Sequence, residues 1–276
     1  MFVKEANLKV LVVIVLYNES LLESKTYNTL LCDSIDYDEI FIYDNSPVKQ
    51  EVPSLSKKYQ YIHYPDNPGL SKVYNEAANY AATKGIDWLL LLDQDTSFPK
   101  GAWSSYLQAV EKFPYIKMFT PRHIIKSGRF ISPVPYIYRF ACSKTFVPIG
   151  IASFEKFIPI NSGMLVNVQA FIEVGGYNEA VTLDFSDTQF VERFTSKYKE
   201  FYILDCICSQ DFSAETTNFT SLLNRFEIFC KCARNCQKNR LVDKIQYFLV
   251  VLKRTISLSV KCKKVVFLRY FFKYYL

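Results

Sequence analysis

The chain of 276 residues predicts an α/β protein built on a doubly wound sheet. Apolar runs of strand length alternate with segments of helical period, the pattern of strands joined by crossover helices. Three of the apolar runs stop abruptly in polar clusters, as strands do where they reach one edge of a sheet and a ligand crevice begins. Half of the residues are apolar and only 8 are Gly and 11 Pro, which supplies a sizeable core and excludes a fibrous or disordered chain.

The run Val10 to Tyr17 is apolar on both faces and predicts a buried parallel-type strand. It is too short to span a bilayer. Asn18-Glu19-Ser20 follows, then a mixed segment to Cys32 that reads as a helix. A second strand covers Glu39 to Asp44 and closes in the turn chemistry of Asn45-Ser46-Pro47. A third covers Tyr61 to Tyr64. Helix formers from Leu70 to Ala82 place Leu70, Val73, Ala77, Ala78 and Ala81 on one face. The next strand, Asp87 to Leu92, runs straight into Asp93-Gln94-Asp95. Tyr17-Asn18, Asp44-Asn45 and Asp93-Gln94-Asp95 therefore share one edge of the sheet.

Beyond this point the pattern loosens. Lys117 to Ile124 reads as a strand and Ile125 to Pro148 as loops or a flap. Pro159 to Asn167 is a strand, followed by a helix that ends at Gly175-Gly176. Leu183 to Tyr198 is helical, with Asp184 and Asp187 on one side of its first turn, and Glu200 to Cys208 is the last strand. The tail from Ser221 is helical. Its residues Leu241, Ile245, Phe248, Leu249, Leu252, Ile256 and Val260 form one stripe, which either packs on the body or lies on an anionic membrane surface. Lys253 and Arg254 interrupt the run, so it does not cross a membrane.

Charge divides the chain unevenly. From Arg225 onward there are 13 Lys/Arg against 2 Asp/Glu, while the whole chain carries +6, so the preceding residues are net acidic at −5. A nucleic-acid surface has the charge but no accompanying motif. The 8 cysteines include Cys206-x-Cys208 and Cys230-x-Cys232-x3-Cys236, spacings that match no standard zinc pattern and have no His nearby. They read as reduced cytosolic thiols.

Asp93 and Asp95 carry the chemistry. Two apart on a strand, they face one crevice and repel unless a cation shares their charge. Helix capping by Asp95 or Thr96, with Pro99 opening the helix, explains only one of the two acids. A hard-cation site explains both.

The segments "VLYNES", "YDNSP", "NPGLSKVYNEAA", "LLLLDQDT", "NSGMLV" and "VGGYNEAVTLDFSDTQFVER" occur in the order found in glycosyltransferase family 2. Over about residues 8–213 the chain resembles the rhamnosyltransferase-like bacterial members, which build surface polysaccharides. The resemblance implies the GT-A fold over 1–215, with a nucleotide-binding half at about 1–100 and an acceptor half at about 101–215, followed by a helical basic extension at 216–276. It implies an inverting transfer from a UDP- or dTDP-sugar to a glycan or lipid-linked acceptor, in the cytoplasm at the inner face of the cell membrane. Tyr17, Asn18 and Glu19 would line the nucleotide pocket, Asp44 would bond the pyrimidine, and Lys72 would approach the pyrophosphate. Asp93 and Gln94 would lie at the ribose. Asp95 would hold Mg²⁺ or Mn²⁺, Asp187 would be the general base, and Asp184 would orient the acceptor or cap the helix. Many relatives carry a His after the last strand; here Gln210 stands at that position. Either Asp95 and phosphate oxygens hold the metal with help from Gln210 or Asp211, or metal binding is impaired and the chain is a binding or scaffold protein.

Rival chemistries fit less of the chain. A phosphatase of the haloacid-dehalogenase type wants Thr where Ser97 stands and its Asp motif at the start of the domain. A dinucleotide dehydrogenase wants G-x-G-x-x-G after the first strand, which is absent. Sugar hydrolysis by paired carboxylates leaves the other edge motifs without a role.

Overall fold

The computed structural model describes residues 8–32, 37–53, 55, 58–210 and 218–276. Its elements in chain order are β1 (Val10–Leu16), a helical turn (Tyr27–Leu31), β2 (Glu39–Asp44), β3 (Tyr59–His63), α1 (Leu70–Lys84), β4 (Trp88–Leu92) and β5 (Thr96–Ser97). There follow α2 (Ala102–Lys112), β6 (Met118–Ile124), β7 (Phe130–Ser132), β8 (Tyr136–Ile137), β9 (Phe140–Ala141), β10 (Gly150–Ser153), β11 (Met164–Asn167) and α3 (Val168–Glu173). The chain continues through α4 (Ser186–Phe194), β12 (Glu200–Gln210), α5 (Phe219–Asn235), α6 (Leu241–Cys262), α7 (Val266–Tyr270) and a helical turn at Phe271–Tyr275.

The main sheet has the order β10-β12-β6-β11-β4-β1-β2-β3. Strands β3, β2, β1 and β4 are parallel, as expected of crossover connections. The rest is mixed, because β11 runs antiparallel to β4 and β6. That reversal matters for the site: the start of β11 pairs with the end of β4, Met164 opposite Leu91. The Asn161-Ser162-Gly163 turn is thereby delivered to the edge where Asp93 emerges.

Alternation along β1 builds the core on both faces. Leu11, Val13 and Val15 pack with α1, α3 and α4, whereas Val10, Val12, Ile14 and Leu16 pack with α2 and the segment before β2. Leu89 to Leu92 are wholly buried between the same layers, each contributing about 1.5–3 kcal/mol relative to exposure. A third apolar cluster lies among the C-terminal helices, around Phe226, Tyr247, Phe267 and Phe271.

Several sequence expectations are corrected. The segment up to Cys32 forms only a short helical turn, because its hydroxyls are engaged elsewhere: Thr26 donates to the Thr96 carbonyl at 2.9 Å, and Thr29 accepts from the Phe98 amide at 3.0 Å. The capping alternative, already the weaker reading of these residues, does not form either: neither Asp95 nor Thr96 caps a helix, and Pro99 does not open one. Thr96–Ser97 is a short strand on β12, and α2 begins at Ala102 after Gly101. The stretch 125–148 contains the strands β7, β8 and β9.

The tail helix α6 packs on the body, but through a different face from the predicted stripe. Its buried side carries Asp243, Tyr247, Val250, Val251 and Thr255. Arg139, buried in the turn between β8 and β9, donates to Glu192 of α4 at 2.6 Å and, on α6, to Tyr247 at 3.0 Å and Asp243 at 3.1 Å. Its guanidinium also lies 4.0 Å from the centre of the Tyr247 ring. One buried cation thus joins the hairpin, α4 and α6. Asp243 keeps Arg240 and the Tyr247 hydroxyl keeps Gln189 when the guanidinium is removed, so Arg139→Ala is expected to cost about 1–3 kcal/mol in urea unfolding; a loss below about 0.5 kcal/mol would show that the three elements are held together by apolar packing alone.

Candidate functional site

The site forms where β4, β1 and β2 end side by side, with Ile14 opposite Leu92 and Leu16 opposite Asp44. The Gln94 carboxamide clamps the Tyr17 peptide at both ends, accepting from its N–H at 2.6 Å and donating to its carbonyl at 3.2 Å. It also donates to Glu19. Asn18 takes a left-handed backbone with φ 54°, which Asn tolerates better than most residues, and its amide donates to Ser46 Oγ at 2.8 Å. These bonds bring three sequence-distant clusters into one rim, with Tyr17 exposed upon it.

Asp44 is wholly buried beneath that rim. It accepts from the Ser46 amide at 2.9 Å, the Gln50 amide at 2.7 Å and the Tyr61 hydroxyl. Burial raises its pKa, but the donors outweigh burial and hold the carboxyl below its ordinary range. In this conformation Asp44 shapes the turn above it and presents no open edge to a base. Lys72, in the first turn of α1, is half exposed, with Nζ 3.9 Å from Glu76 and 5.4 Å from the centre of the Tyr64 ring.

Asp93 and Asp95 face one another across a single amide. Gln210 Nε2 donates to Asp93 at 3.0 Å and to Asp95 at 3.4 Å, and Ser162 Oγ donates to Asp93 at 2.8 Å. Burial and the adjacent Asp95 charge push Asp93 well above the usual carboxylate range. Burial and Asp95 also raise Glu19. The Gln210 carbonyl oxygen is buried with no hydrogen-bond partner. Hard carboxylate oxygens in mutual repulsion beside an unpartnered carbonyl are the donor set that Mg²⁺ or Mn²⁺ takes, so these residues fit such a cation. Among the described residues no cluster of three or more His, Cys, Asp or Glu could hold a metal by itself, which leaves positions for phosphate oxygens. Asp211 lies outside the described residues.

Asp187 sits in the first turn of α4 and accepts from the Thr188 amide at 2.7 Å. Burial, with a contribution from Asp184, raises its pKa to about 6. The sequence spacing predicts Asp184 on the same first turn, and the structure corrects this. Asp184 precedes the helix, and Phe185, with φ 66°, separates the two acids. Its carboxylate is paired through both oxygens with Arg225 of α5, an ion pair that ties the C-terminal helices to the approach of α4.

Tyr74 is buried on α1; burial first, and then the negative charges of Asp93 and Asp187, push its hydroxyl pKa up. Its ring lies 5.4 Å from that of Tyr177, whose hydroxyl donates to Asn161. Tyr136, from β8, also senses the Asp187 charge. Sequence reasoning missed Tyr74, Tyr136, Asn161, Ser162 and Tyr177 as site residues. "NSG" was their best signal, since Gly163 takes φ 68° and a Cβ there would stand 2.8 Å from Pro121 and 2.9 Å from the Tyr106 hydroxyl.

The fold is that of the GT-A glycosyltransferases. The model of glycosyl transferase family 2 matches residues 11–174, and the chain belongs to that family. A relative from Shigella flexneri, dTDP-rhamnosyl transferase RfbF, is 24% identical over 192 residues, covering 68% of this chain and 63% of its own length. The crystal structure of GalNAc-T7 with UDP, GalNAc and Mn²⁺ superimposes with a TM-score of 0.57 at 12% identity, over 84% of this chain and 48% of that one. Mannosyltransferase PcManGT from Pyrobaculum calidifontis, in complex with GDP-Man and Mn²⁺, gives 0.52 at 12% identity over 88% and 69%. The chain thus spans about half to two thirds of the length of these proteins.

Asp93→Asn removes one of two repelling charges but keeps a side chain that can bond Ser162 and Gln210. In metal-free protein at neutral pH, the midpoint of thermal unfolding is expected to stay the same or rise by a few degrees. A fall of several degrees would make the carboxylate a structural group.

Proposed function

We propose that this chain is an inverting, metal-dependent glycosyltransferase. It moves a hexose, with rhamnose the first candidate, from a UDP- or dTDP-sugar to a hydroxyl of a glycan or lipid-linked acceptor in bacterial surface polysaccharide synthesis. The observation that carries this reading is the pair Asp93 and Asp95, held under the Gln210 amide at the edge where β4, β1 and β2 end side by side. Family membership supports the reaction class, the Shigella flexneri relative supports dTDP-rhamnose among the donors, and the Mn²⁺ of the two solved complexes supports the cation. The free thiol state of all eight cysteines supports a reducing, cytoplasmic setting. No described helix is long and apolar enough to cross a membrane.

In this reading the donor lies on the edge built by residues 1–100, the acceptor approaches over 101–215, and 216–276 is an extension. Tyr17, Asn18 and Glu19 line the nucleotide, the Asp44 turn faces its base, Lys72 approaches the pyrophosphate, and Asp93 and Gln94 meet the ribose. Asp95 holds the cation, with the Gln210 carbonyl beside it. A bound Mg²⁺ or Mn²⁺ supplies positive charge where the departing nucleoside diphosphate gains negative charge. Asp187 takes the proton of the acceptor hydroxyl as that oxygen attacks the anomeric carbon. With one base and no covalent protein intermediate, configuration at that carbon inverts.

A carboxylate raised to about 6 suits this task. It is ionised at neutral pH yet more basic than a solvated Asp, and below pH 6 it is protonated and cannot accept. The transfer rate is therefore expected to fall about tenfold per pH unit below that value. Asp187→Asn should lower turnover by at least about 10²-fold, abolish that acid limb and leave nucleotide affinity within about twofold, read by product formation and by calorimetry. Near-normal turnover in the variant would remove Asp187 from the role and favour a binding or scaffold protein.

A further inference from the structure

The stripe that makes α6 amphipathic in sequence is the face the structure leaves uncovered. Leu241 is 73% exposed, Val260 72%, Leu249 and Ile256 51%, Ile245 49% and Phe248 37%, while Leu252 of the same stripe packs partly on the C-terminal cluster. At 100° per residue these positions span one arc, opposite the arc of Asp243, Tyr247, Val250 and Val251 that packs on the body. The helix is apolar on two sides and needs only one for its fold. Exposed apolar surface that runs the length of a 22-residue helix, about 33 Å, marks an interaction site.

Charge selects the partner. Lys244 and Lys253 border the arc on its two sides. From Lys244 to Leu276 the chain has eight Lys/Arg and no Asp or Glu. The one acid of α6, Asp243, is buried and paired with Arg139 and Arg240. A second copy docked on this face would set one cationic border against another with no carboxylate to offset it. An anionic lipid surface supplies the missing charge and an apolar layer for the stripe. We propose that this face of α6 lies in the headgroup region of an anionic bilayer, with Leu241, Ile245, Leu249, Ile256 and Val260 reaching the acyl chains. The inference rests on the surface of α6 and not on the transferase reading.

The test is sedimentation of the full chain with vesicles of phosphatidylcholine alone and of phosphatidylcholine mixed with phosphatidylglycerol. Wild-type protein is expected to pellet with the anionic vesicles, less so in high salt and little with the neutral ones. The variant carrying I245S, L249S and I256S should bind at least tenfold more weakly with the same melting temperature and nucleotide affinity. A second variant, Leu249→Trp, keeps the face apolar and should show a blue-shifted emission on vesicle addition, against native Trp88 and Trp103, which are both buried. Wild-type protein left in the supernatant, equal binding by the triple-serine variant, or an unshifted Leu249→Trp emission on vesicles that pellet the protein would overturn the proposal. So would a wild-type dimer that the triple-serine substitutions convert to a monomer without any vesicle binding, which would assign the face to a second copy.

Discussion

Two carboxylates held two residues apart at the end of a buried strand dominate this structure. The sheet places Asp93 and Asp95 side by side at a half-buried edge, and their repulsion is relieved by groups from elsewhere in the chain. The offsetting donors come from far away in sequence: Ser162 from the turn before β11 and Gln210 from the end of β12. The antiparallel entry of β11 and the pairing of β12 with β5 can be read as the topology that delivers these two side chains. Both donors are neutral, so they orient the acids without cancelling their charge. The remaining deficit of positive charge is what a divalent cation fills, with phosphate oxygens able to complete its shell.

The acidic edge is also coupled to the second half of the molecule. Gly69 has φ 89°, and a Cβ there would stand 2.5 Å from the Thr182 carbonyl oxygen. The Leu70 amide donates to that same carbonyl at 2.9 Å. The start of α1 is thus fastened to the segment that leads into Asp184 and Asp187. Arg225 then holds Asp184 from α5, and Arg139 holds α4 against α6. The C-terminal helices, on this account, brace the position of Asp187 while turning their uncovered face outward.

The first hundred residues were the most legible in the sequence. Strands β1, β2 and β4 are continuous apolar runs with abrupt polar ends, and α1 has a clear apolar face. Gln94 could be named as a site residue, but its clamp on Tyr17 could not, because it depends on adjacent strand ends that only the folded sheet brings together. The middle third was less legible since β7, β8 and β9 are two or three residues long, too short to show a period. Asp184 looked like a partner of Asp187 by spacing, but the left-handed Phe185 interrupts the helix between them. The stripe on α6 was visible as a pattern. Which way it faced was not, because Tyr247, Val250 and Val251 make a second apolar side that competes for the core, and buried Arg139 decides the contest.

The central claim is that the Asp93–Asp95 edge binds a nucleoside diphosphate through a shared cation. Calorimetric titration of the native protein with UDP and with dTDP, each in Mn²⁺ and in EDTA, tests it most directly. At least one nucleotide is expected to bind in Mn²⁺ and to lose at least tenfold in affinity in EDTA. Equal affinity under the two conditions, or no binding of either nucleotide with Mn²⁺ present, would contradict the account.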